Sequence, residues 1–372
     1  MTTSGNVLVV NAGSSSLKLR VLAEDDTVLG EAHVERWSGG DETGPLKDFL
    51  KSAPAVDAVG HRVVHGGSAF TNATAIDDDV HAKIEALTGL APLHQPRAIA
   101  GIDAATRLLP GVPQVACFDT AFHTTMPAAA RTYAVPAAWR SKWDLRRYGF
   151  HGLSHSYASR HAAELAGHPG ARVVTCHLGS GASLAAVAGG RSVDTTMGFT
   201  PLAGLVMATR SGDVDPGLLV WLLRAGLTLD DLEEGLEHHS GLAGLSEIGG
   251  DLRDVRKAAE TGDEHAVLAL QVYAHRLRQS IAAMTVSLGG LDLLVFTGGV
   301  GEHDAVLRAD TAAALAFLGI DLDTGRNAEA ARDTRISTRS SAVQAWVVEA
   351  REDVEIATQT RALLGKASQR RP

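Results

Sequence analysis

Val7-Leu-Val-Val-Asn11-Ala-Gly13-Ser14-Ser15-Ser16-Leu17-Lys18-Leu-Arg-Val-Leu22 sets a polar, Gly/Ser-rich turn between two apolar strand patterns. Gly13 frees backbone N–H groups, Ser14 and Ser16 add hydroxyls, Asn11 an amide and Lys18 an ammonium, a set suited to phosphate oxygens. Leu17, Leu19 and Val21 alternate with polar residues, so the turn leads into a second strand rather than a helix. The expected element is a phosphate-holding β-hairpin.

The pattern recurs in Val173-Val-Thr-Cys-His177-Leu178-Gly179-Ser180-Gly181-Ala182-Ser183, where Asn11 set over His177 places Gly13-Ser14 on Gly179-Ser180. A third Gly-rich turn, Thr297-Gly298-Gly299-Val300-Gly301-Glu302, follows the apolar run Leu293-Leu-Val-Phe. Any one of these is an ordinary turn. In this order the three point to a duplicated α/β fold whose halves grip a nucleotide between them.

With 372 residues, 45% hydrophobic and 21% charged, the chain is long enough for two cores. Its net charge of −9 and the lack of a Lys/Arg-rich block before the short tail Lys366 to Arg371 argue against nucleic acid and acidic membrane surfaces as partners. No basic region precedes the first apolar strand, and the apolar run Leu218 to Leu223 is short, so a soluble cytoplasmic protein is expected. Cys117 and Cys176 each stand in a strand-like run and read as small buried hydrophobes.

The first half reads as a hairpin, a third strand at 28–35, a helix near 43–52, a strand through 56–64, a helix opened by Asp77-Asp-Asp, and a strand at 112–118. From about 171 the order repeats, with a third strand at 191–193, a helix capped by Thr228, a long amphipathic helix over 265–288 closed by Gly289-Gly290, and a strand at 291–296. Asn11, Asp119, His177 and Thr297 would project where strands end, which is where α/β sheets collect ligands. Pro127, Pro136 and Trp139 mark 128–147 as the expected hinge region.

Arg62 in Gly60-His-Arg62-Val-Val64-His-Gly-Gly67 and Arg210 in Met207-Ala-Thr-Arg210-Ser-Gly stand beside glycines that would let a guanidinium fork reach carboxylate or phosphoryl oxygens, or else form a structural ion pair. His151 sits in Tyr148-Gly-Phe150-His151-Gly152, either a site residue or a structural histidine. His94, in Ala91-Pro-Leu93-His94-Gln-Pro, could position a ligand or cap the next helix. Asp119 suits Mg²⁺ better than Glu352, which could equally be dipole-complementing charge at a helix start.

These motifs, with Phe118-Asp119-Thr-Ala-Phe-His123, Thr175-Cys-His177-Leu-Gly179 and Met197-Gly-Phe-Thr-Pro201, resemble in residue and in order the acetokinase family, within the sugar kinase, Hsp70 and actin superfamily. The resemblance runs from Val7 to about Ile356. It implies a two-domain actin-like, duplicated ribonuclease H-like fold with an active-site cleft between domains: 1–140 with 355–372 on the acetate side, and 141–354 on the nucleotide side. It implies reversible, direct in-line transfer of the ATP γ-phosphoryl group to acetate, giving acetyl phosphate and ADP. Arg62 and Arg210 would hold acetate and the moving group, and His151 would donate to its equatorial oxygens. Asp119 joins them as catalytic. Asn11, Ser14, Ser16 and Lys18 would support the phosphates. His177, Leu178, Gly179, Ser180 and Gly181 would meet the β-phosphate, with Asp251, Leu252, Arg253, Gly298, Gly299, Val300 and Gly301 on the adenosine side. Asn11, Asp119 and Glu352 would organise Mg²⁺, with Mn²⁺ as an alternative. Val64, Leu93, Phe150 and Pro201, with His94, would frame a pocket for the methyl group of acetate. A homodimer is implied as well.

The chain departs from the family pattern at Gln95, Leu153, Ser180, His303 and Arg351-Glu352-Asp353. Two further readings stay open: an acyl kinase acting on propionate or butyrate, or using pyrophosphate; and a non-catalytic actin- or Hsp70-like ATP-binding module. The second has no need for Arg62, His151 and Arg210 together.

Overall fold

The computed structural model describes residues 5–13, 16–35, 37 and 43–369. Ser14 and the last residues of the basic tail lie outside them. Two compact units result. One comprises Met1–Thr124, Phe150–Tyr157 and Arg351–Pro372, the other Thr125–Gly149 and Ala158–Ala350.

The first unit is built on β1 (Val7–Ala12), β2 (Ser16–Leu22), β3 (Val28–Glu35), β4 (Ala58–Val63), β5 (Thr74–Ala75) and β6 (Gln114–Phe118), arranged β3-β2-β1-β4-β6-β5. β1 and β2 form the expected hairpin, with Asn11 opposite Lys18, and β4 and β6 extend the sheet in parallel. Strand alternation sorts the side chains by face. Leu8, Val10, Leu17, Leu19 and Val59 share one core cluster with Ala100 and Ala104 of the helix Gln95–Leu108, while Val63 joins Ala98 and Ile102 in a second. Asn11 and Arg62, out of phase with these, therefore lie on the other face, which the helix Glu352–Gln369 covers. Gly60 makes that helix possible. A Cβ there would come within 2.6 Å of both Ile356 Cγ2 and Thr360 Oγ1, so the strand two residues before Arg62 must be bare.

The second unit repeats the plan with β7 (Arg172–Leu178), β8 (Ala182–Ala188), β9 (Arg191–Thr195), β10 (Leu293–Thr297), β11 (Thr334–Arg335) and β12 (Gln344–Val347). Its order, read from the hairpin edge, is β9-β8-β7-β10-β12-β11. Each sheet thus has an antiparallel three-strand meander, two parallel strands and a short antiparallel edge strand. The duplication expected from two similar hairpins extends to the whole sheet. His177 sits opposite Ser183 in the second hairpin, and beside Thr297 of β10.

Thr228 caps its helix by accepting from Asp231 N, and the long helix Glu264–Leu288 ends at Gly289 in the left-handed conformation, as the sequence predicts. Both cysteines are free and buried.

Candidate active site

In the first unit, the ends of β1, β4 and β6 and the start of the helix Glu352–Gln369 bring four polar side chains together. Arg62 donates from Nη2 to Asp119 Oδ2 at 2.7 Å and from Nε to both Asp119 oxygens at 3.2 and 3.1 Å. Its Nη1 donates to Asn11 Oδ1 at 3.3 Å and lies 3.9 Å from Glu352 Oε2, which itself accepts from Asn11 Nδ2 at 2.9 Å. Arg62 therefore realises the ion-pair reading of its motif, at the ends of the strands. Burial works against its charge, but Asp119 and Glu352 outweigh that and hold its pKa above the ordinary value. For Asp119 burial pushes the carboxyl pKa up, with Arg62 pulling the other way. Glu352 is the first residue of its helix, as the dipole reading expects, and is also a member of this network.

His151 is tied to the same network through its backbone. Gly152 N donates to Asp119 O at 3.0 Å, and a Cβ on Gly152 would overlap that carbonyl oxygen. Only glycine permits the approach. His151 itself has φ +55, a left-handed conformation unusual for a side-chain-bearing residue and concentrated at functional sites. Phe150, buried beside it, sets its ring edge-on to His65 at 5.4 Å. Val64 is buried too, whereas Leu93 is 45% exposed. His94 takes the N-cap position of the helix Gln95–Leu108 without a side-chain cap bond, so the capping alternative is not realised.

The second unit gathers the other set. Leu178, at the end of β7, abuts Gly298, whose Cβ would fall 2.7 Å from the Leu178 carbonyl oxygen and whose φ is +78. Ser180 O accepts from Ala208 N at 3.0 Å, tying the hairpin turn to the Arg210 loop, and Gly250 lies against the Ala208 carbonyl. The segments carrying His177 to Gly181, Arg210, Asp251 to Arg253, and Gly298 to Gly301 are thus neighbours. Arg210 pairs with Glu237 at 3.0 Å. Asp251 caps its helix by accepting from Arg253 N, and the Arg253 side chain folds back on it, holding the Asp251 carboxyl down to about 2. Around Gly299 the space a Cβ would take is open. Thr297 Oγ1 is buried with no partner among the described residues. Val300 follows within the helix Gly298–His303 that opens directly from β10. Pro201 also belongs to this unit.

Of the remaining phosphate candidates, Lys18 is exposed and Ser16 is partly buried on β2. Sequence reasoning gave no role to Gln95, His123 or Glu237. Gln95 is fully buried and clamps the His65 backbone, donating to His65 O at 3.0 Å and accepting from His65 N at 3.4 Å. Its place two residues after Leu93 in a Pro-restrained turn was the available signal. Glu237 lies in an amphipathic helix far from Arg210 in sequence and carried none.

The model of the Acetokinase family matches residues 42–358. An acetate kinase from Gloeobacter violaceus is 52% identical over 395 residues, spanning 94% of this chain and 97% of its own. Porphyromonas gingivalis acetate kinase matches in structure with a TM-score of 0.89 at 39% identity, over 96% of this chain and 99% of its own. A propionate kinase from Francisella tularensis matches with the same TM-score of 0.89 at 37% identity and the same 96% and 99% coverage. The duplicated actin-like α/β fold expected from the sequence is the one observed, and the chain belongs to the acetokinase family.

Proposed function

We propose that this chain is a phosphotransferase that moves the γ-phosphoryl group of ATP to acetate, reversibly, giving acetyl phosphate and ADP. The observation that carries the reading is the Arg62–Asp119–Asn11–Glu352 network with His151 anchored beside it. A module that only binds ATP has no use for it. Among the described residues Arg62 spends three of its five N–H groups on Asp119 and Asn11, leaving one on each terminal nitrogen for a carboxylate or phosphoryl oxygen. His151 donates to the equatorial oxygens of the transferring group, and Arg210 adds charge from its Glu237-anchored loop. Val64, Leu93 and Phe150 are assigned to the methyl group, with His94 alongside.

Asn11 Oδ1, Asp119 and Glu352 form a hard oxygen set that suits Mg²⁺ or Mn²⁺. They would hold the ion, which when bound would neutralise phosphate charge. The nucleotide falls to the second unit. There Gly299 leaves room for a ligand, Asp251 and Arg253 offer polar groups, and the 177–181 turn offers backbone N–H groups.

We assign the protein to the cytoplasm; no helix among the described residues is long and apolar enough to cross a membrane. A homodimer is supported by the helix Pro216–Arg224, none of whose nine residues is buried, with Leu218 45%, Val220 48% and Trp221 63% exposed. A second copy of this chain would cover that face.

The test is trapping of acyl phosphate as hydroxamate, with ATP or pyrophosphate as donor and acetate, propionate or butyrate as acceptor. Product with ATP and acetate supports the reading. The structural likeness to a propionate kinase makes preference for propionate the specific alternative. No product with any acid would overturn the reading.

A further inference from the structure

His123 occupies the short 3-10 turn Ala121–Thr125, four residues after Asp119, and is 1% exposed. Its Nε2 lies 3.0 Å from the Phe150 carbonyl oxygen. A carbonyl only accepts, so that nitrogen carries the proton and donates. The carbonyl belongs to the peptide plane that joins Phe150 to His151, and the tilt of that plane about the His151 N–Cα bond is the φ of His151. The next plane, between His151 and Gly152, is fixed by the bond from Gly152 N to Asp119 O at 3.0 Å. Both planes flanking His151 are therefore held by one segment, 119–123.

This double hold matters because His151 has φ +55. An L-residue in that conformation is strained and relaxes unless its surroundings over-determine it. The glycine contact explains one side of the hold. The His123 imidazole, packed edge-on against the His155 ring at 5.8 Å, explains the other.

We propose that His123 is a positioning residue for phosphoryl transfer: through the Phe150 carbonyl it holds His151 in its left-handed conformation and so aims the His151 ring. The proposal rests on the function assigned above. His123 itself touches no substrate in this scheme.

The test compares His123→Phe, which keeps a ring but has no donor, with His123→Gln, whose amide nitrogen reaches about as far as Nε2. Loss of aim by about an ångström costs roughly 100-fold, so His123→Phe should lower kcat about 10- to 100-fold while KM for acetate and ATP stays within about twofold. His123→Gln should stay within about threefold of the parent in kcat. In a His151→Ala background the Phe substitution should add less than about threefold, because the group it aims is gone. The His151 13Cα chemical shift, which reports φ, should be shared by parent and Gln variant and move in the Phe variant. Should the Phe variant not fold, His123→Leu supplies the donor-free arm. Parent-like kcat and His151 shift without the donor, an equal fall in the Gln variant, or full additivity with His151→Ala would each overturn the proposal. If the parent forms no acyl phosphate at all, the assigned function falls, and the His151 shift alone decides the role of His123.

Discussion

Arg62 Nη2 and Asp119 Oδ2 stand 2.7 Å apart with side chains only 15% and 1% exposed, so neither charge can be removed without stranding the other. Breaking a buried pair from one side costs about 3–5 kcal/mol. Arg62→Ala should therefore lose about 3 kcal/mol in urea unfolding as well as at least about 100-fold in turnover. Adding Asp119→Asn should return part of the stability and none of the turnover. A single variant as stable as the parent would show that Asp119 does not depend on Arg62.

Arg210 offers a contrast within the same chemistry. Arg210 Nε lies 3.0 Å from Glu237 Oε2, and Glu237 is 19% exposed against 1% for Asp119, so water can take over when the guanidinium is deleted. Arg210→Ala should cost about 1 kcal/mol or less in stability and still lower turnover by at least about 100-fold. Near-normal acetate turnover in this variant would remove Arg210 from the mechanism.

Two glycines distinguish a structural role from the proposed nucleotide-binding one. A methyl group on Gly152 meets the Asp119 carbonyl, whereas one on Gly299 meets nothing within 4 Å. Gly152→Ala should give a protein that is poorly folded and inactive. Gly299→Ala should unfold at the parent's temperature yet bind ATP more weakly, by about tenfold or more, if a nucleotide fills that space. Unchanged KM for ATP in a folded Gly299→Ala protein would move the adenosine assignment elsewhere.

The hairpins and the order of strands were legible because apolar alternation and Gly/Ser turns are local signals, and Asn11, Asp119, His177 and Thr297 could be placed at strand ends from those alone. What the sequence could not carry was pairing across distance. Asn11 meets Glu352 341 residues away, and the close passage that allows it depends on Gly60 facing Ile356. Gly60 and Gly152 were visible as motif glycines, but the backbone and side chains they make room for were not. Gln95 stood out as a departure from the family pattern and by its place after Leu93, but its clamp on His65 is a matter of burial.

His61, next to Arg62 but on the opposite face of β4, gives a pH dependence that is independent of catalysis. Its ring is buried, with Nε2 2.7 Å from Gln114 Oε1, and burial lowers its pKa from 6.5 to about 4. The unfolded chain thus binds a proton below pH 6.5 that the native state takes up only near pH 4, so stability falls as pH drops through this window. At pH 5 the effect amounts to roughly 2 kcal/mol. His61→Gln, which does not titrate, should lose about that much less than the parent between pH 7 and pH 5 in urea denaturation. Parallel pH profiles would mean that His61 is not buried neutral.

The proposed assignment of Val64 to an acyl pocket yields the sharpest test of substrate choice. Val64 is 4% exposed, directly follows β4, and precedes the His65 that Gln95 clamps and Phe150 packs against. Its side chain is therefore held in place, and if it lines the proposed acyl pocket a longer acid would have to displace it. Overpacking of that kind costs roughly 1–3 kcal/mol. Val64→Ala opens space of about two methyl groups, so the butyrate-to-acetate ratio of kcat/KM should rise by about one order of magnitude. Acetate itself should lose little beyond its share of apolar contact, and the backbone bonds from Gln95 to His65 leave the strand end in place. The ratio is measured in both proteins with ATP held saturating. If it does not change while the variant remains folded and active, Val64 does not line the acyl pocket, and the residues that set chain length lie elsewhere in the fold.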